Sequence, residues 1–103
     1  MAIRQTGTIQ TASQDSHVDE IRARAEAGDA RAQHHLGLMH HGGHFVTQDY
    51  IEAWKWFSLA TDQAEKGALA YREGIAARMP PEQIADAKKR AAAFIPKKNL
   101  PKD

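Results

Sequence analysis

Helix breakers recur along this sequence at short intervals, and they limit what it can fold into more than any other feature. Gly28, Gly42-Gly43, Gly67, Pro80-Pro81 and Pro96 separate stretches in which apolar residues are spaced by three and four rather than two, the period of a helix and not of a strand. Alanine dominates those stretches and β-branched residues are scarce, so backbone propensity points the same way. At 103 residues the expectation is one domain, able to bury roughly two-thirds of its unfolded surface. The fold class expected is all-α, with short helices joined by tight turns.

Residues 1–15, rich in Gln, Thr and Ser without a sustained apolar period, read as a flexible arm. A first helix begins after Asp15-Ser16, whose side-chain oxygens can accept the free N–H groups of a first turn, and carries Val18, Ile21 and Ala25 inward. Gly28 stops it and Asp29 caps a second, running through Ala32, Leu36 and Met39 to Gly42-Gly43; so short a joint makes the pair an antiparallel hairpin. Asp49 caps a third helix with Tyr50, Ala53, Trp56, Phe57 and Ala60 on one side. From Gly67 a fourth carries Ala68, Tyr71, Arg72, Ile75 and Met79 as far as Pro80-Pro81. Pro81 suits the first turn of a fifth, which places Ile84, Ala87, Ala91 and Phe94 on one face and Lys88, Lys89 and Arg90 mostly on the other. Residues 16–95 form the domain and 96–103 a short basic tail.

The absence of cysteine excludes disulfides, thiolate metal sites, iron–sulfur clusters and a cysteine nucleophile. Fourteen basic against thirteen acidic residues leave a formal net charge of +1, too balanced for composition alone to imply a nucleic acid or a polyacidic partner. The charge is unevenly spread, because Lys88, Lys89, Arg90, Lys97, Lys98 and Lys102 against Asp86 and Asp103 give the last eighteen residues a net +4. Such an end could hold an anionic partner by a salt-sensitive attraction; a solvated face with a solubilising tail is the simpler account. Apolar runs fall far short of the roughly 18 residues of a spanning helix, and Met1 to Gly7 lacks the apolar stretch of a secretory signal. A soluble, cytoplasmic protein without a membrane role is expected.

Five of the six histidines lie between His34 and His44, and imidazole both binds transition metals and titrates near neutrality. Their spacing argues against a ready-made site. His34 and His41 share a face but stand about two turns, roughly 10 Å, apart, and Gly42-Gly43 interrupts the pair His40 and His44. Trp54, Trp56 and Phe57 could offer a stacking platform; core packing is the simpler reading of Trp56, while Trp54 either covers the neighbouring hairpin or sits in a groove. Ser58 has no glycine elbow, no paired carboxylates stand out, and no glycine-rich phosphate loop follows a strand. No catalytic residue, metal site or cofactor is assigned, and the chain reads as a non-enzyme.

Set against itself at an offset of 36, the chain matches only small residues, Ala25, Gly28 and Ala32 falling on Thr61, Ala64 and Ala68. That is nevertheless the length at which helical hairpins stack into a solenoid. Ala25, Gly28, Ala32, Leu36-Gly37, Gly43, Val46, Asp49, Ala53, Trp56 and Ala60 stand in an order and spacing that resembles one whole unit, residues 25–64, of the Sel-one-like repeat family, relatives of the tetratricopeptide repeat. The sequence departs from that pattern at His40, usually tyrosine, at Thr61 and Ala64, and at Phe45, usually a second turn glycine. Phe45 bears on the turn because a bulky side chain resists positive φ. Residues 67–94 look like the degenerate last unit that closes many bacterial members. The resemblance implies a short right-handed α/α superhelix of about five helices.

In function, the resemblance implies a scaffold or adaptor that binds a protein or peptide on a concave face lined mainly by the helix from Ala30 to His41. Arg31, His34, Leu38 and His41 would be its exposed lining, with Trp54 beside them and Leu38 as the anchor, since it is apolar yet off the stripe of Ala32 and Leu36. The first helix resembles the second half of a repeat whose first half is missing. Either Arg22, Arg24 and Glu26 shield its outer side, or that open end forms a homodimer. Two readings compete with the scaffold: an accessory protein binding nucleic acid or another anion through Lys88, Lys89, Arg90, Lys97 and Lys98, nucleic acid being the less favoured, and a histidine-based metal or pH sensor.

Overall fold

A computed structural model describes residues 17–97, and every regular element among them is a helix. A helix over 17–26 (α1) is followed by α2 (Ala30–Gly42), α3 (Tyr50–Asp62), α4 (Ala68–Ala76) and α5 (Pro81–Ala93). The capping aspartates act as expected. Asp29 Oδ1 accepts from the N–H groups of Arg31 and Ala32 at 2.9 and 3.2 Å, and Asp49 Oδ1 from those of Ile51 and Glu52 at 3.0 and 3.1 Å, so both helices of the first full hairpin start on a satisfied turn. No side chain caps α4 or α5, which begin after Gly67 and Pro80. α4 is also shorter than the sequence suggests, ending at Ala76 in a turn that carries Met79 back into the core. The expected arm and the end of the tail lie outside the described residues.

α3 is the element against which α2, α4 and α5 all pack, and its two tryptophans explain how. Positions two apart on a helix point roughly 200° from each other, so Trp54 and Trp56 enter different cores. Trp56 joins Val18, Ile21, Ala25, Ala32, Leu36 and Met39, between α1, α2 and α3. Trp54 joins Ala53, Phe57, Ile75, Met79 and Ala87, between α3, α4 and α5. The single inward side expected of α3 is therefore two. Phe94 is corrected in the same way: Ile84 and Ala91 pack on the second core, but the backbone turns extended at Phe94, whose ring meets Trp56 edge-on at 5.6 Å in the first.

Close approach of α2 and α3 depends on Gly37. A methyl group there would stand 2.8 Å from the Phe57 ring, inside van der Waals contact, so the ring lies directly on the α2 backbone. The turn after α2 is tied back to that helix's exposed carbonyls. Gly43 and His44 N–H both donate to Met39 O, Asp49 N–H to His40 O, and Gln48 Nε2 to His41 O, which satisfies acceptors a helix end leaves over. Phe45 takes φ 64° in this turn and Ala64 takes φ 62° in the next, each a left-handed conformation costing a side-chain-bearing residue about 1 kcal/mol.

Candidate functional site: the groove between α2 and α4

The two helices that leave α3 on the same side, α2 and α4, are bridged by rings. Tyr71 of α4 stacks on Phe57 at 5.4 Å, and His34 of α2 wedges against both, 5.8 Å from Phe57 and 5.7 Å from Tyr71. Two turns along α2, His41 lies flat on Tyr50 at 5.8 Å and edge-on to Tyr71 at 6.4 Å. These contacts leave an open groove of about 330 Å³ lined by His41, Ala70, Tyr71, Gly74, Ile75 and Arg78, at the small end of ligand-sized clefts. Gly74 is exposed in this lining, and an added methyl group there would meet nothing within 4 Å.

The residues expected to line one exposed face do not stay together. Arg31 is exposed but belongs to a separate, polar cleft of about 470 Å³ between α1 and α2, with His17, Glu20, Arg24, Asp29 and His35. His34 is mostly enclosed: Nδ1 faces Glu65 Oε2 at 3.5 Å, and Nε2 is buried without a hydrogen-bond partner among the described residues. Leu38 is half-buried against the second core and so is no free anchor. Trp54, only 7% exposed, covers the neighbouring hairpin under the Arg72 guanidinium, 5.3 Å from its ring. Of the expected lining, only His41 reaches the α2–α4 groove. Tyr71, Gly74 and Arg78 are the groove residues that sequence reasoning passed over; a glycine inside a helical run with no turn to make was the signal.

The histidines serve five separate environments rather than one. His40 Nδ1 lies 3.2 Å from Thr47 O, to which its N–H can donate, His44 lies over Gly42, and His17 meets His35 at 6.3 Å. Among the described residues no group of three or more His, Asp or Glu side chains converges as metal ligands would. The polar pair that matters structurally is a different one. Gln33, 1% exposed, donates to Ala25 O at 3.1 Å and accepts from Gln63 Nε2, which also donates to Gly28 O at 2.8 Å. This stitches the ends of α1, α2 and α3 into one layer.

A family model, the Sel1 repeat, matches residues 30–65. Those residues are a Sel1 repeat. No curated protein matches the chain. The repeat comprises α2, α3 and the turn that leads to α4, with Ala32, Leu36, Gly37, Ala53, Trp56 and Ala60 all buried and Asp49 as its second cap. Ala25 and Gly28 precede the matched segment and join it through Gln33 and Gln63. Sel1 repeats are tetratricopeptide-like helical hairpins of a non-catalytic scaffold family and generally mediate protein–protein interaction. No helix among the described residues is long and apolar enough to cross a membrane.

Beyond the Sel1 repeat, the basic end is less free than its sequence suggests. Arg90 Nη1 donates to Glu52 Oε2 at 2.6 Å and Nε to Asp86 at 3.1 Å, and Lys97 reaches Glu26 with both its side chain and its backbone N–H. Burial alone would raise the Glu52 carboxyl, but the hydrogen bond from Arg90 and the charge of Lys55 outweigh it and hold the group below the usual range, while those same carboxylates raise Arg90. Of the expected patch, Lys88 and Lys89 remain exposed without a carboxylate partner among the described residues, and Lys98 lies outside them. On α1 Arg22 pairs with Asp19 and Arg24 with Glu20.

Proposed function

We propose that this chain is a non-enzymatic interaction module that binds a protein or peptide partner between α2 of the Sel1 repeat and the α4 helix that follows it. The observation that carries this reading is the open groove walled by His41 and Tyr71, which adjoins a repeat of a family that generally mediates protein–protein contacts. Tyr71, 44% exposed, presents apolar surface to the groove. The ion pairs of Arg90 and Lys97 weigh against the anion-binding alternative, and the dispersal of the histidines weighs against the sensor.

Immobilised protein should retain a protein from the native cell extract after nuclease treatment and at moderate salt, where loosely held polyanions are released. Tyr71→Ser should lose it and deletion of residues 98–103 should not. Retention that disappears with nuclease, or with the tail, would replace this reading with the anion-binding one.

A further inference from the structure

The groove also carries information about what enters it, and this step rests on the interaction reading above. α2 contains no acidic residue, and the one acid of α4, Glu73, is engaged by the Arg72 guanidinium at 3.1 and 3.2 Å. Arg78 stands at the groove with no carboxylate in ion-pair distance among the described residues, and His41 forms the facing wall. The lining is thus apolar along Ala70, Gly74 and Ile75 and cationic at one end, without a compensating acid. Gly74 adds an independent point. A glycine within a helix costs about 1 kcal/mol against alanine, and here no internal neighbour needs the space. What the missing side chain does provide is access to the α4 backbone from outside.

We propose that the α2–α4 groove accepts a peptide segment of another protein that sets an aliphatic side chain over Gly74 and directs an aspartate or glutamate to Arg78. The volume of about 330 Å³ suits one or two side chains and not a folded domain, while the charge selects an acid beside the apolar residue. Tyr71 and His41 flank the aliphatic group.

The probe is a phage-displayed random dodecapeptide library selected on the full chain, followed by fluorescence anisotropy of the enriched peptides. Expected are peptides pairing Leu, Ile or Val with Asp or Glu a few positions away. Gly74→Leu should weaken them roughly tenfold or more by filling the groove, and Arg78→Glu by a similar factor. Exchanging the peptide's acid for lysine should restore binding to Arg78→Glu. Neither variant touches the core, and Gly74→Ala, with unchanged helicity, controls for the fold. Peptides that bind Gly74→Leu as well as the parent overturn the groove assignment while leaving the interaction module standing; a selection that enriches no peptide, with extract proteins still captured, does the same. Concentration-dependent self-association abolished by Gly74→Leu overturns it in favour of a second copy of this chain.

Discussion

The two hairpins built on α3 differ in how they are secured. α2 and α3 each start on an aspartate cap, the Phe57 ring of α3 lies on the α2 backbone at Gly37, and the layer is closed by Gln33, Gln63 and the returning Phe94. α4 and α5 have no side-chain cap, α4 keeps a glycine in its last turn, and both depend on α3 for their core. The first hairpin carries its own instructions, whereas the second is held by its neighbour and leaves a groove open. Stability and the proposed binding surface are thus divided between two hairpins, as expected when binding elements are drawn from the less stable part of a fold.

Phe57 is the point at which that division can be broken. It is fully buried, stacks on Tyr71 and seats Gly37, so Phe57→Ala should cost about 3–5 kcal/mol in urea unfolding, much of what a small domain possesses. One cooperative transition would show the hairpins to be a single unit; early loss of amide protection confined to residues 68–93 would show them to be separable. Gln33→Leu comes next, at about 1–2 kcal/mol, because it removes two buried hydrogen bonds, to Ala25 O and from Gln63, although Ala25 O keeps the Gly28 N–H and Gln63 keeps Gly28 O. It should loosen α1 while leaving the Tyr71 environment, followed by its ring resonances, unchanged.

Smaller effects sharpen the comparison by exchanging local signals between the hairpins. Asp49→Ala should destabilise by about 1 kcal/mol through loss of the α3 cap, whereas Gly74→Ala should stabilise by about the same amount, the added methyl group meeting nothing; thermal melts of the pair should move in opposite directions. The smallest effect is that of Glu52, which links α3 to α5. Its carboxyl is held below the usual range in the folded chain, so the Arg90 pair contributes above the ordinary glutamate value near 4.3 and its contribution is lost as pH falls through the lower, folded value. With Arg90 41% exposed, solvent screening limits this to about 0.5 kcal/mol. Glu52→Gln should lose that much at neutral pH and nothing at pH values below the folded one.

Much of the first hairpin was legible because its signals are local. Asp29, Gly43 and Asp49 act on their own turns, and Ala32, Leu36 and Ala53 follow a period any helix imposes. Even the unfavourable Phe45 could be identified, and the turn forms despite it at φ 64°. The second hairpin was legible only in outline. Met79 and Phe94 leave their helices where the backbone turns, which periodicity alone does not reveal. The candidate site was harder still: His34 and Leu38 sit on the side of α2 away from its main stripe, and only the arrival of α4 and α5 encloses them.

Sequence by itself therefore determined the all-helical class, the order and joints of the helices, and the presence of one Sel1 repeat, since each rests on interactions a few residues long. Tertiary structure decided which surface stays open. That choice separates Arg31 from His41, spends Arg90 and Lys97 on carboxylates far away in the chain, and brings Tyr71, Gly74 and Arg78 opposite α2. Exposure is a property of what packs above a residue, and for this chain the covering element lies tens of residues away from the residue it covers.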